Sequence, residues 1–217
     1  MPEERRNFMQ EIVRQARHFL AESWLLLIAT IVFGGLLASL DAAWRPLIIQ
    51  NEINKFNRLA GGAGGLIPQA VKFEDAVVAM PVTGARGTTI ATDVKRGVDA
   101  EGNLAGWAFV AEGPGFADRI RLVVAVDPKF ERIAGFGVLF SNETPGFGDK
   151  MKTKDFRNQF VGVPAARLEL HKTGDREVID ENIVAITGAT VTSEAVVDVI
   201  NHFVGQVKAG MQEKGLI

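Results

Sequence analysis

Cysteine is absent from the 217 residues, which excludes disulfides, thiolate-held iron–sulfur clusters and Cys-based zinc sites. Histidine is scarce. His18, His171 and His202 stand far apart, so no His-based metal site is expected. Charge of one sign is also lacking: the formal net charge is only -2, and nothing argues for a nucleic-acid partner. No internal repeat is apparent. The one biased stretch is Gly61-Gly62-Ala63-Gly64-Gly65. No Lys-Ser/Thr follows it, so it reads as a flexible connector rather than a nucleotide loop.

No charged residue occurs between Glu22 and Asp41. The intervening run, 23–40, is long enough for a short membrane span. A cleaved signal peptide and a buried helix are the other readings of such a run. The long polar lead-in favours an uncleaved anchor. Trp24 and Trp44 sit near its ends, where interfacial aromatics are common. Arg5, Arg6, Arg14 and Arg17 precede the span, while Arg45, Lys55 and Arg58 follow it. That balance leans slightly towards a cytoplasmic N-terminus. Met9, Ile12, Val13, Ala16, Phe19 and Leu20 have helical spacing, so residues 1–22 read as an amphipathic tail.

Residues 41–67 read as a helical connector, Trp44 to Leu59, followed by the Gly-rich linker; the soluble domain is expected over 68–217. Within it, strands are expected at 88–92, 106–112, 120–126 and 132–140, with turns at Gly113-Pro114-Gly115 and Asp127 to Phe130. A helix is expected at 154–160, short strands at 168–170 and 183–186, and a final helix from about Ser193. Strands in runs with helices inserted argue an α+β domain.

Two stretches carry candidate chemistry. The first is Ile186-Thr187-Gly188-Ala189-Thr190-Val191-Thr192-Ser193, laid out as strand, small-residue turn and helix start. Such a turn admits a phosphate at unpaired first-turn N–H groups. It equally suits a plain helix start with Thr192 or Ser193 as N-cap. The second is Ser141 to Met151, with Glu143-Thr144-Pro145-Gly146-Phe147-Gly148 at its centre. Its glycines let backbone approach a ligand closely. On the residues alone, Glu143 and Asp149 read as solvated loop charges.

The Thr-Gly-Ala-Thr-x-Thr-Ser stretch resembles the flavinylation motif of the FMN-binding domain in the RnfG component of the Rnf electron-transport complex. The NqrC component of the sodium-pumping NADH:quinone reductase shares it. The Glu-Thr-Pro-Gly-x-Gly stretch is similar to the family's second signature, with Phe147 where Leu is usual. Gly-Trp-Ala-Phe at 106–109 and the N-terminal span extend the resemblance over the whole architecture. The family usually carries Asp where this chain has Val184, with Asp180 and Glu181 the nearest acids.

The resemblance implies FMN joined by a phosphoester to Thr190, with Thr187, Gly188, Ala189 and Thr192 around it. It implies that Glu143, Thr144, Pro145, Gly146, Phe147 and Gly148 form a loop against the flavin ring. Trp107 is a further candidate near the flavin and equally a core residue. Lys172 is a candidate cation near the pyrimidine, or a surface lysine. The implied fold is one transmembrane helix followed by one FMN-binding domain with a mainly antiparallel sheet. The implied function is electron relay within an ion-translocating ferredoxin:NAD oxidoreductase, with no side chain acting as acid, base or nucleophile. Implied partners are the other membrane components of the complex and a flavin transferase that uses FAD and magnesium. The implied location is a bacterial inner membrane, single-pass, with the main domain periplasmic. The chain's length suits the Rnf component better than the reductase component, which is the alternative. A membrane-anchored binding module without flavin is the third reading.

Overall fold

Ile120, Leu122, Val124 and Val126 alternate with Val123 and Ala125, and the two sets enter different cores. This period of two marks a strand buried on both faces. It belongs to β5 (Arg119–Val126), an interior strand of the domain's main sheet. The computed structural model describes residues 2–74, 77–84 and 89–217, without the side chains of 2–4, 7, 16 and 20. Thr88, the first residue of one expected strand, lies outside them.

The chain opens with α1 (Pro2–Ala60), then β1 (Lys72–Phe73), β2 (Val78–Thr83), β3 (Thr89–Val98) and β4 (Leu104–Pro114). β5 is followed by β6 (Ile133–Phe140), α2 (Lys154–Arg157), β7 (Glu169–His171), β8 (Asn182–Val184) and α3 (Thr190–Glu213). The sheet runs β1-β3-β4-β5-β6, every pair antiparallel, and β2 also pairs with β3. β7 and β8 form a separate parallel pair. The mainly antiparallel α+β domain is therefore as expected.

The chain divides into two units, Met1–Asn51 and Glu52–Ile217. In the first, Leu25, Leu26, Leu27, Ile28, Ile31, Val32 and Phe33 are all exposed. Consecutive exposed apolar residues cover the whole circumference of a helix, which suits lipid rather than water. The helical segment Ala21–Ala60 is long and apolar enough to cross a membrane, and it fits a membrane anchor.

The second unit takes in the end of α1. Phe56, Ala60, Ile67 and Ala70 pack with Ala108, Val123, Ala125 and Leu139 on one face of the sheet. Lys55 Nζ donates to the Leu139 carbonyl. The Gly-rich stretch is not an open connector: Leu66 N–H donates to Leu59 O (2.9 Å), Ile67 N–H to Ala60 O (2.8 Å) and Gly62 N–H to Ala70 O (2.9 Å). Its glycines allow this tight return, with Gly62 and Gly64 at φ +75° and +91°.

The opposite face carries the larger core. Val196, Val199, Ile200, Phe203, Val204, Val207 and Met211 supply the buried stripe of α3, which crosses β2 and β4. Phe136, Phe156 and Phe160 meet edge-on, Phe136 and Phe160 with centroids 4.8 Å apart. The expected helix at 154–160 is one α-turn continued by a 3₁₀ turn, Asn158–Phe160. The expected turn at Gly113-Pro114-Gly115 lies further on. β4 runs through Pro114, and the chain turns at Gly115–Asp118, closed by Gly115 N–H to Asp118 O (2.8 Å).

Candidate functional site

Three segments converge at one end of the domain: the Gly115–Asp118 turn, the loop after β6, and the entry to α3. Phe116, Thr144, Phe147, Gly148, Gly188, Ala189, Thr190, Val191 and Thr192 line a cleft of about 500 Å³. That volume lies within the usual range for small-molecule sites. Phe116 and Phe147 are 65% and 55% exposed, and Val191 is also open to solvent. Large apolar side chains left uncovered at a concave site point to a flat apolar ligand.

The entry to α3 is a four-residue turn, with Ala189 N–H donating to Ile186 O (2.9 Å). Gly188 is third in the turn, at φ +81°, as a type II turn requires. α3 starts at Thr190 with Ala189 as N-cap, and no side chain caps it. The helix-cap reading of Thr192 and Ser193 is thus corrected, because both lie inside the first turn. Ser193 Oγ instead accepts the Ile186 N–H (2.9 Å) and donates to Ala189 O (3.0 Å).

The four hydroxyls of this stretch have four different situations. Ser193 is fully buried in the local tie just described. Thr192 is 2% exposed and donates to Glu143 Oε2 (2.7 Å). Thr187 is exposed and lines a neighbouring hollow with Lys150, Thr153 and Arg176. Of the four, Thr190 alone lines the cleft with its hydroxyl unengaged among the described residues. As first residue of the helix it lies among the N–H groups that lack intrahelical acceptors, at the positive end of the helix dipole.

The loop after β6 also turns on a glycine, Gly146, at φ +78°. Thr144 O accepts the N–H of Phe147 (3.2 Å), with Pro145 second in the turn. Pro-Gly in those two places is a type II arrangement. Pro145 and Gly146 are exposed at its tip, outside the cleft lining, while Thr144, Phe147 and Gly148 line it. Phe147 lies over the other turn: a Cβ on Gly188 would sit 3.5 Å from Phe147 Cδ1.

Glu143 is not a solvated charge. It is 5% exposed. Its Oε1 accepts the N–H groups of Phe116 (2.9 Å) and Ala117 (3.1 Å). Asp149 is half-buried, and its Oδ1 is enclosed without a hydrogen-bond partner among the described residues. Trp107 is buried in the core and donates Nε1–H to Pro128 O (3.1 Å), and it does not line the cleft. Lys172 is exposed beyond β7 and does not line it either. Val184 is buried on β8, and its backbone is held at both ends by the Gln159 amide. Sequence reasoning missed Phe116 and Val191. The signal for Phe116 was present, an aromatic directly after Gly-Pro-Gly.

A planar apolar-faced group bearing a phosphate suits this cleft. Two exposed rings offer faces, and a helix start with a free hydroxyl offers a phosphate position. FMN has that chemistry, and the residues fit it. A sequence profile of the FMN-binding domain family matches residues 115–204. The chain is 31% identical over 189 residues to the G component of the ion-translocating oxidoreductase complex of Methanosarcina acetivorans, covering 85% of this chain and 94% of that one. It is 38% identical over 97 residues to the G component of the proton-translocating ferredoxin:NAD(+) oxidoreductase complex of Clostridium ljungdahlii, over 45% of this chain and 50% of that one. Its fold resembles crystalline NqrC of Shewanella oneidensis, with a TM-score of 0.52 and 23% identity over 68% of this chain and 71% of the other. The chain belongs to the family of G components of ion-translocating oxidoreductase complexes, and the FMN-binding domain of that family forms its cleft.

Proposed function

We propose that this chain is the electron-transferring G component of an Rnf-type ferredoxin:NAD oxidoreductase complex, carrying FMN as a phosphoester on Thr190. The observation that carries the proposal is the state of the four hydroxyls. Two are buried and hydrogen-bonded, one is outside the cleft, and of the four Thr190 alone presents a free oxygen within it; Thr144 also lines the cleft but stands on the loop after β6 rather than at a helix start. When bound, FMN supplies the electron transfer, and the protein supplies attachment, orientation and local field. The first-turn N–H groups of α3 receive the phosphate. Phe116 and Phe147 receive the ring and exclude water from its faces. Attachment is the work of a separate flavin transferase. The first unit anchors the domain to the cytoplasmic membrane, with the domain on the outer side beside the other membrane components of the complex. There, covalent attachment prevents loss of a cofactor that the compartment would not replace. The likeness to NqrC concerns the fold, whereas the sequence relatives favour the Rnf-type assembly.

The test is peptide mass after digestion, with flavin fluorescence on a denaturing gel. Wild type should show the FMN mass on the peptide containing Thr190. Thr190→Ala should reduce attachment to background, and Thr190→Ser should retain part of it. Thr187→Ala is the control, since its hydroxyl lies outside the cleft. A fluorescent Thr190→Ala band, or FMN mass on a peptide lacking Thr190, would overturn the proposal.

A further inference from the structure

Glu143 is a buried acid that does not line the cleft, yet it touches every wall of it. Its Oε1 takes two N–H groups from the Gly115–Asp118 turn, which carries Phe116. Its Oε2 takes the hydroxyl of Thr192, two residues beyond Thr190 in the first turn of α3. Its own backbone leads into the loop that carries Thr144 and Phe147. The space it occupies is kept open by two glycines. A Cβ on Gly115 would run into Oε1, and a Cβ on Gly148 would lie 2.6 Å from Oε2. Among the described residues no cation is paired with it; three donors and the positive end of α3 hold it.

We propose that Glu143 is the positioning residue of the cleft, fixing the spacing of its three walls and placing one negative charge beside the bound cofactor. The first part stands on this chain alone; the second rests on the flavin reading above. A carboxylate has acceptor capacity for three donors from two distant segments, which no neutral side chain of this size matches. Glutamine preserves the shape. It keeps one oxygen for the Phe116 and Ala117 N–H groups and turns an N–H towards Thr192, but it removes the charge. A nearby negative charge opposes reduction of a flavin, so its removal favours reduction.

Amide hydrogen exchange on the full chain in detergent tests the first part without any cofactor. Glu143→Ala should speed exchange of the Phe116 and Ala117 amides about tenfold or more, while Glu143→Gln should stay within about twofold of wild type. Thr192→Val cuts only the link to α3 and covers the case in which the alanine variant does not fold. It should speed exchange in the first turn of α3 and leave Phe116 protected. On flavin-loaded protein, Glu143→Gln should raise the midpoint potential with the flavin still attached. Exchange unchanged in both Glu143→Ala and Thr192→Val overturns the positioning role. A potential unchanged in Glu143→Gln overturns the role of the charge. A wild type without covalent flavin refutes the Thr190 assignment instead, and the exchange measurements still decide the positioning role.

Discussion

The turn Thr144–Phe147 and the turn Ile186–Ala189 use the same backbone device. Each has glycine in third place, at φ +78° and +81°. They differ in what holds them. The second is tied by Ser193, seven residues on, through a hydroxyl that both accepts from Ile186 and donates to Ala189. The first is underlain by Glu143, whose partners come from residues 116, 117 and 192. A locally tied turn keeps its shape when its surroundings change. A turn held by distant partners moves with them. Thr190, the proposed attachment residue, directly follows the locally held turn, while Phe147, proposed to face the ring, sits on the loop that depends on the rest of the domain.

The largest effect should come from filling the space around the distant tie. Gly148→Ala places a Cβ 2.6 Å from Glu143 Oε2 and 2.7 Å from Thr192 Oγ1, both on buried side chains that are hydrogen-bonded to each other. Overpacking of this kind costs roughly 3 kcal/mol. Urea unfolding of the full chain in detergent should show the loss. A neutral result would mean that the Glu143–Thr192 pair is slack, and the contrast between the turns would fail.

Ser193→Ala attacks the local tie. The buried Ile186 N–H loses its acceptor, which costs roughly 2 kcal/mol. Thr190 is next to the affected turn, so flavin attachment should fall as well. Exchange of the Phe116 amide should not change, because Glu143 keeps its partners. Faster exchange there would show that the two ties are one cooperative unit.

Much of this was legible in the sequence, and the residues show why. The membrane segment was readable because charge is absent over 23–40, and composition needs no partner to be informative. The strands at 106–112, 120–126 and 132–140 were readable from apolar density. The turn before Thr190 was readable through a motif of small residues. Glu143 was not, because an acid in a Gly-rich loop reads as solvated until the turn 115–118 and Thr192 are brought to it from 26 and 49 residues away. The Gly61–Gly65 stretch misled for the same reason: its glycines permit a hydrogen-bonded return as readily as an open linker. The start of α3 was placed too late because hydroxyls at 192 and 193 suggested caps, whereas the cap position is Ala189 and both hydroxyls are spent elsewhere.

A smaller effect separates the turns by substitution at their shared feature. Alanine at Gly146 or Gly188 must adopt a left-handed backbone, costing about 1 kcal/mol. A Cβ at 146 meets nothing within 4 Å, while one at 188 meets Phe147 at 3.5 Å, an ordinary contact. The two variants should therefore lose similar stability. Only Gly188→Ala should change the flavin spectrum, because only it touches a side chain of the cleft. A spectral change in Gly146→Ala alone would reverse the assignment of the two turns.

The smallest effect concerns an exposed counterpart of the buried tie. Asp118 accepts the N–H of Arg119 (2.7 Å) and Nδ2–H of Asn142 (2.8 Å), so it joins the 115–118 turn to the residue just before Glu143. The Arg119 N–H, then the Asn142 amide, hold its carboxyl below the ordinary aspartate range. A carboxyl lowered on folding contributes stability that is fully present above its unfolded pKa and is lost as pH falls through the folded one. Wild type should thus be slightly more stable than Asp118→Asn near neutrality, and the two should converge in the acid range. Asp99 and Asp180 are lowered in the same direction by their own Asn partners, but they are common to both proteins and cancel in the difference. Paired urea titrations at a series of pH values would measure it. A difference independent of pH would mean that Asp118 acts through shape alone, leaving Glu143 as the charged tie between these two loops.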